Sequence, residues 1–391
     1  MDLILSDEQR MLVETARRFV ATELLTLEEE VEAKGALDPA IARSIFEKSR
    51  ALGLYAMNIP TEYGGGGLSA VDTCLVEEQF GHASDILVRR AFGNVYEVLL
   101  VSNEVQKERW LKPAARGERT FAVAFTEPGA GSDAAGIKTR AERQGNGWVL
   151  NGYKHFISDG LFSDFFVVSA VTDPSAGARG ISLFLVDKGM PGFSIGRDQP
   201  MMGLAGSSHV ELFFENVKLG PEHLLGAEGE GLKLTLGTLG RIRLALIGAR
   251  CVGKSTRLLR MMTDYARERR QFGKAIGEFQ MVQQMLADSA MEINAARLMV
   301  LHTASLIDQG DDPRERISMV KTYASETLGR VADRAVQVFG GMGYCKDMPI
   351  ERLYRDARIF RIFDGTSEIH RMVIARSMLK HGAGRFADVI E

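Results

Sequence analysis

The chain has 391 residues, 45% hydrophobic and 25% charged, with a formal net charge of −3. That length suits two or three domains, or one large multilayered unit, with an ordinary globular interior. The faint acidity argues against nucleic acid as the main partner, and no run approaches the roughly 20 apolar residues of a membrane span.

The N-terminus, Met1 to Arg10, carries early acids and no basic-then-apolar leader, so neither a signal nor a transit peptide is expected. Residues 1–120 read as helical. Ser6 with Gln9 makes a capping box, and Asp38 before Pro39 makes a second helix start. Gly64 to Gly67 reads as a loop, because no strand–glycine–helix context supports a phosphate cradle. Cys74, Cys251 and Cys345 are widely spaced and odd in number. They predict reduced thiols in a cytoplasmic protein, without a disulfide framework. No metal-ligand spacing such as CxxC or HExxH occurs, so no metal is expected.

At Thr120 the texture changes. Stretches 121–126, 147–157, 165–171, 181–186 and 210–214 are rich in β-branched and aromatic residues between Gly, Pro, Asn and Asp. They predict a small antiparallel β domain, a barrel or sandwich, over 121–231. From 232 the helical period returns. Val282, Leu286, Ile293, Ala296, Val300 and Ile307 fall on one face, as do Ile317, Val320, Ala324, Leu328, Val331, Ala335 and Val338. The expected class is α+β: a helical domain (1–120), the β domain (121–231) and a C-terminal four-helix bundle (232–391).

Two phosphate-binding patterns compete for attention. Gly129-Ala130-Gly131-Ser132-Asp133-Ala134 fits a relaxed dinucleotide fingerprint, but no helix is expected after it. Gly248 to Ser255 fits the P-loop GxxxxGK[ST] and keeps a nucleotide triphosphatase as a remote alternative. Nothing downstream alternates strand with helix, so a long helix with two glycines for close contact is the preferred reading. Arg243, Arg250, Lys254 and Arg257 form a basic stripe along that helix, read as a solvated or ion-paired face with Lys254 at the surface. The sharper alternative is that the stripe meets an anionic ligand such as coenzyme A phosphates.

The last helix is preceded by Asp364-Gly365-Thr366-Ser367. A carboxylate, a flexible residue and a capping pair are what a common turn needs, and equally what a general base beside an anionic cofactor needs.

The motifs taken together resemble the acyl-CoA dehydrogenase family across essentially the whole chain. Thr126 to Asp133 is similar to its TEPGAGSD signature, and Asn151 to Ser158 to its NGxKxWIT strand. Arg269 to Gly273 resembles RxxFG, followed by Phe279-Gln280, and Gln337 to Gly343 resembles QxxGGxG. Asp364 to Ile369 resembles E-G-T-x-[EQ]-I. The resemblance implies FAD, an acyl-CoA substrate, an electron-transfer flavoprotein as redox partner, and a homodimer or homotetramer. It implies Asp364 as the base for the α-proton. It puts Phe125, Thr126, Ser132, Phe156, Ser158, Thr366 and Glu368 at the flavin. Arg269, Phe272, Gln280, Gln337, Gly340 and Gly341 would reach the cofactor of the partner subunit. Ser132, Arg243 and Gly365 would flank the substrate.

Two departures bear on substrate, and one stretch bears on the base. Asp364 stands where most members have Glu, Ala205 where many have Arg, and the upstream stretch 239–243 offers no alternative acid. An oxidase of the same fold, acting on an acyl-CoA or a nitroalkane, is the closest alternative function. The acyl pocket is expected to be shaped by 80–100 and 236–250, with branched or cyclic acyl groups preferred.

Overall fold

The computed structural model describes residues 5–93 and 96–382. The N-terminal helices are α1 (Asp7–Phe19), α2 (Glu28–Lys34), α3 (Pro39–Ala51), α4 (Ala70–Phe80) and α5 (Asp85–Phe92). Both expected caps form: Ser6 Oγ accepts from the Gln9 amide at 3.2 Å, and Asp38 Oδ1 from the Ala40 amide at 2.7 Å. The glycine run packs tightly against its neighbours. A Cβ on Gly65 would lie 2.2 Å from the Ile59 carbonyl oxygen, so glycine is needed there for packing.

Eight strands form one sheet: β1 (Phe121–Ala124), β2 (Arg140–Gln144), β3 (Gly147–Ser158), β4 (Phe165–Val171), β5 (Ile181–Asp187), β6 (Phe193–Asp198), β7 (His209–Leu219) and β8 (Leu224–Leu225). Their order is β6-β7-β3-β2-β4-β5-β8, with β1 beside β4. The sheet is mixed rather than purely antiparallel, since β1 runs parallel to β4 from Phe121–Phe165 to Ala124–Val168. Strand β2 escaped the sequence reading because it is mostly polar and exposed, and β6 because its two apolar residues, Phe193 and Ile195, are too few to betray a strand.

The C-terminal helices are α6 (Gly231–Ile242), α7 (Arg250–Glu268), α8 (Gln280–Asp308), α9 (Arg314–Phe339), α10 (Ile350–Ile359) and α11 (Ser367–His381). A π-helical stretch, Arg243–Ala249, joins α6 to α7 without a break. The GxxxxGK[ST] pattern is therefore helix throughout, and no phosphate loop exists there. Its glycines serve contact: a Cβ on Gly253 would sit 2.0 Å from the Glu78 oxygen, and one on Gly248 2.6 Å from Val320 Cγ1. The other pattern leads from Gly131 into a single short turn, Ala134–Gly136, with no helix for a pyrophosphate.

The basic stripe needs a correction. Lys254 is 1% exposed, not at the surface. Its Nζ lies 3.2 Å from Asp85 Oδ2 and donates to the Ala83 carbonyl at 2.9 Å. Arg250 is buried against Glu77, and Arg257 meets Glu28 at 2.8 Å. Arg352 from α10 shares Glu28 at 2.6 Å. The buried Arg250 and Lys254 are thus committed to N-terminal carboxylates and not open to coenzyme A phosphates. Among the described residues no helix is long and apolar enough to cross a membrane, and no group of three His, Cys, Asp or Glu is placed to hold a metal.

Candidate active site

The expected site residues fall into three groups. The first lies on the β domain. Thr126 and Phe156 come together because the His155 amide donates to the Thr126 carbonyl at 2.8 Å. Beneath them Lys154, wholly buried, gathers Glu127 Oε1 at 2.8 Å, Ser169 Oγ at 3.0 Å and the Phe125 carbonyl at 3.1 Å. Glu127 in turn accepts from the Lys138 and Thr139 amides at 2.6 and 3.1 Å. The two signature segments are thereby locked to one another. Burial pushes the Lys154 ammonium down to about 8, against the pull of Glu127. Phe156 holds a left-handed φ of 58° near the end of β3, 47% exposed, with its ring stacked on His155 at 3.8 Å. Ser158 is half-buried opposite His209, and Ser132 is exposed on the loop after Gly131.

The second group is the turn before α11. Asp364 has φ 52°, a conformation that Asp tolerates better than most residues because its short polar side chain bonds locally. Its backbone carbonyl accepts from Arg243 Nε at 2.7 Å and lies 3.1 Å from His370 Nε2. The next carbonyl, Gly365, accepts from Lys321 Nζ at 2.6 Å. Gly365 is required twice over: φ is 92°, and a Cβ would lie 2.7 Å from His370 Nε2. Thr366 caps α11, its Oγ1 accepting from the Ile369 amide at 3.2 Å, and Glu368 is exposed in the first turn. Burial pushes the Asp364 carboxyl above its ordinary value, while Arg243, Lys321 and Arg89 pull it back. Burial, then Arg243, pushes His370 down to about 4, so at neutral pH its ring is uncharged and Nε2–H donates to the carbonyl.

The segments 80–100 and 236–250 meet around a small cavity whose lining does not include Asp364 or Gly365. This cavity of about 30 Å³ lies between Phe92, Tyr96, Glu97, Arg241, Leu244 and Ala245. Burial pushes the Tyr96 phenol up to about 12, opposed by Arg89 and aided by the negative charge of Asp364. Burial also raises Glu97.

The third group lies elsewhere. Arg269 and Phe272 sit on the hairpin of β9 (Arg270–Gln271) and β10 (Lys274–Ala275), Gln280 starts α8, and Gln337, Gly340 and Gly341 end α9. Tyr265 stacked on Phe339 at 4.2 Å ties these ends together. All six are exposed, Phe272 by 92%. Gln337 is sixteen residues along α9 from Lys321, about 24 Å at the helical rise. This group therefore does not close on the Asp364 turn of its own chain.

Comparison with known proteins agrees with the motifs. Residues 6–118, 122–217 and 229–379 match the N-terminal, middle and C-terminal domains of acyl-CoA dehydrogenase. The chain belongs to the acyl-CoA dehydrogenase family. It is 39% identical over 381 residues to cyclohex-1-ene-1-carbonyl-CoA dehydrogenase of Geobacter metallireducens, covering 96% of this chain and 99% of that one. It is 37% identical over 386 residues to the CarC subunit of the caffeyl-CoA reductase–Etf complex of Acetobacterium woodii, covering 96% and 99%. Butyryl-CoA dehydrogenase of Megasphaera elsdenii superposes with a TM-score of 0.90 at 33% identity, over 97% of this chain and 100% of that one. The protein is accordingly an oxidoreductase of a flavin-dependent family.

The residues present fit a flavin. A Cβ built on Gly129, Gly131 or Gly341 meets no atom within 4 Å, so nothing inside the chain calls for glycine there, whereas a ligand lying against the backbone would. The half-exposed Phe156 side chain supplies an apolar face, and the α11 N-terminus supplies the positive end of a helix dipole, with its Ser367 and Ile369 amides already donating to the Arg361 carbonyl and Thr366 Oγ1. Sequence reasoning missed Lys321 and His370. Lys321 had a signal: it stands in the stripe 317, 321, 324, 328, 331, a lysine on an otherwise core-facing row.

Proposed function

We propose that the protein interconverts an acyl-CoA thioester and its α,β-unsaturated counterpart, with FAD as the flavin and an electron-transfer flavoprotein as redox partner. The observation that carries this is the Asp364 turn. Arg243, His370 and Lys321 hold backbone carbonyls there, and the carboxylate is left to meet substrate. Asp364 takes the α-proton in the oxidative direction and returns it in the reductive one. FAD, when bound, accepts or supplies the β-hydride. Phe125, Thr126, Ser132, Phe156, Ser158, Thr366 and Glu368 hold the flavin of their own chain. Arg269, Phe272, Gln280, Gln337, Gly340 and Gly341 serve that of a partner subunit, so the active unit is at least a dimer, with a tetramer preferred. Ser132, Arg243 and Gly365 flank the thioester.

The Etf-complex relative supports the redox partner, and its name as a reductase leaves both directions open. Asp is one methylene shorter than Glu, and a misplacement of about 1 Å can cost on the order of 10²-fold. Compact, branched or cyclic acyl groups that bring the α-carbon closer are the expected substrates. The cyclic substrate in the name of the Geobacter relative supports that choice. Anaerobic flavin bleaching against straight, branched and cyclic acyl-CoAs tests it. Asp364→Asn should retain FAD and acyl-CoA yet lose flavin reduction by several orders of magnitude. A near wild-type rate would place the base elsewhere. The Asp-for-Glu exchange also favours a second reading, an oxidase, which rapid reoxidation of the reduced flavin by air would support.

A further inference from the structure

We infer that Lys321 is a positioning residue for the Asp364 base, clamping the Asp364–Gly365 turn through a carbonyl and stabilising the carboxylate by its charge. The inference rests on Asp364 being the base.

Among the described residues, three lysines are wholly buried: Lys154, Lys254 and Lys321. Lys154 and Lys254 meet carboxylates, Glu127 at 2.8 Å and Asp85 at 3.2 Å. Lys321 instead donates to the Gly365 carbonyl at 2.6 Å. A buried ammonium is costly without a counter-charge, and a neutral carbonyl offsets only part of that cost. A hydrogen bond to that carbonyl alone would be served as well by a neutral donor such as glutamine. The charge makes physical sense if its counterpart is the Asp364 carboxylate beyond the carbonyl, which draws the lysine toward its charged form. The attraction is mutual, since Lys321 also draws Asp364 toward its ionised form.

The other groups around Asp364 do not replace Lys321. Arg243 from the π-helical stretch and Arg89 from α5 are charged at every working pH. His370 from α11 and the Tyr96 phenol are neutral near pH 7. The Cys251 thiol of α7 stays protonated through burial, and Glu326 on Lys321's own helix is paired with Arg361 at 3.0 Å. Lys321, pushed by burial to about 8, is therefore the cation at this turn whose charge can change in the working range. The clamp also fixes direction. Arg243 pulls on one carbonyl and Lys321 on the next, so the left-handed Asp364 is held from two elements and its side chain keeps one heading.

The test compares Lys321→Met, Lys321→Arg and Asp364→Asn in the flavin-loaded enzyme. Two quantities are read: single-turnover flavin reduction against pH, and the Asp364 carboxyl band by infrared difference against Asp364→Asn. In Lys321→Met the carboxyl midpoint should rise by about one pH unit, and the rising limb of the rate profile should move with it. Flavin reduction near pH 7 should fall on the order of tenfold, with KM nearly unchanged. Lys321→Arg should restore the midpoint. If Lys321→Met loses its fold, Lys321→Gln, which keeps a donor without charge, should show the same upward midpoint. An unmoved midpoint in a folded, flavin-loaded Met or Gln variant, with Asp364→Asn inactive, overturns the role of Lys321 and leaves the base intact. An active Asp364→Asn overturns the base itself.

Discussion

One helical line sends cations to two regions of the molecule, and at Asp85 and Asp364 the outcomes are opposite. At the interface between the N-terminal helices and α7, Arg250, Lys254 and Arg257 meet Glu77, Asp85 and Glu28 directly. Burial raises Asp85, but Lys254 and Arg250 more than offset it and hold the carboxyl below its usual range, whereas at Glu77 burial outweighs Arg250 and the carboxyl stays above its usual range. One helical stretch earlier, Arg243 meets the backbone of Asp364 and spares the side chain. There burial wins, and the carboxyl sits above its usual range. A cation that meets a carboxylate builds a structural joint. A cation that meets the neighbouring carbonyl orients a carboxylate and leaves it available for chemistry.

The sharpest way to break that contrast is to remove a cation from the joint. Lys254→Met leaves Asp85 buried without its closest partner and should cost about 3–5 kcal/mol of stability, read from denaturant midpoints. Activity per folded molecule should stay close to wild type, the reverse of the outcome expected for Asp364→Asn. Gly253→Ala should come next. Its Cβ would be driven to 2.0 Å from the Glu78 oxygen, separating the helices that carry the joint, at about 1–3 kcal/mol. Thermal unfolding would show it.

Arg269→Ala touches neither region and should spare the fold. It should instead speed FAD loss on dilution, with light scattering showing whether assembly survives. A pH-dependent effect is expected at Asp356, whose buried carboxyl accepts from the Leu204 amide at 2.6 Å and is pushed up to about 6, chiefly by burial. A carboxyl raised in the folded state holds its proton more tightly there than when unfolded. It adds no penalty below about pH 4 and costs stability as pH rises toward 6, by up to about 3 kcal/mol. Asp356→Asn keeps an acceptor for Leu204 and should remove part of that pH dependence. Stability against pH in both proteins measures it.

Local chemistry determined much of this protein. The caps at Ser6 and Asp38, the core-facing rows of α8 and α9, and the Thr366 cap follow from side-chain spacing and short-range hydrogen bonding, which a sequence displays directly. The family motifs were equally legible, because each occupies a few consecutive residues. Sequence also ranked the helix above the P-loop at 248–255, from the missing alternation downstream. Only the tertiary structure decided what met what. Lys254 looks like a surface lysine until Asp85, 169 residues earlier, arrives beside it. Polar β2 and the apolar-poor β6 become strands because β3 and β7 supply the ladder. Lys321 and Gly365, forty-four positions apart, form one clamp because α9 and α11 pack together. Burial, charge pairing and backbone satisfaction are properties of neighbours in space, and a chain acquires those neighbours only by folding.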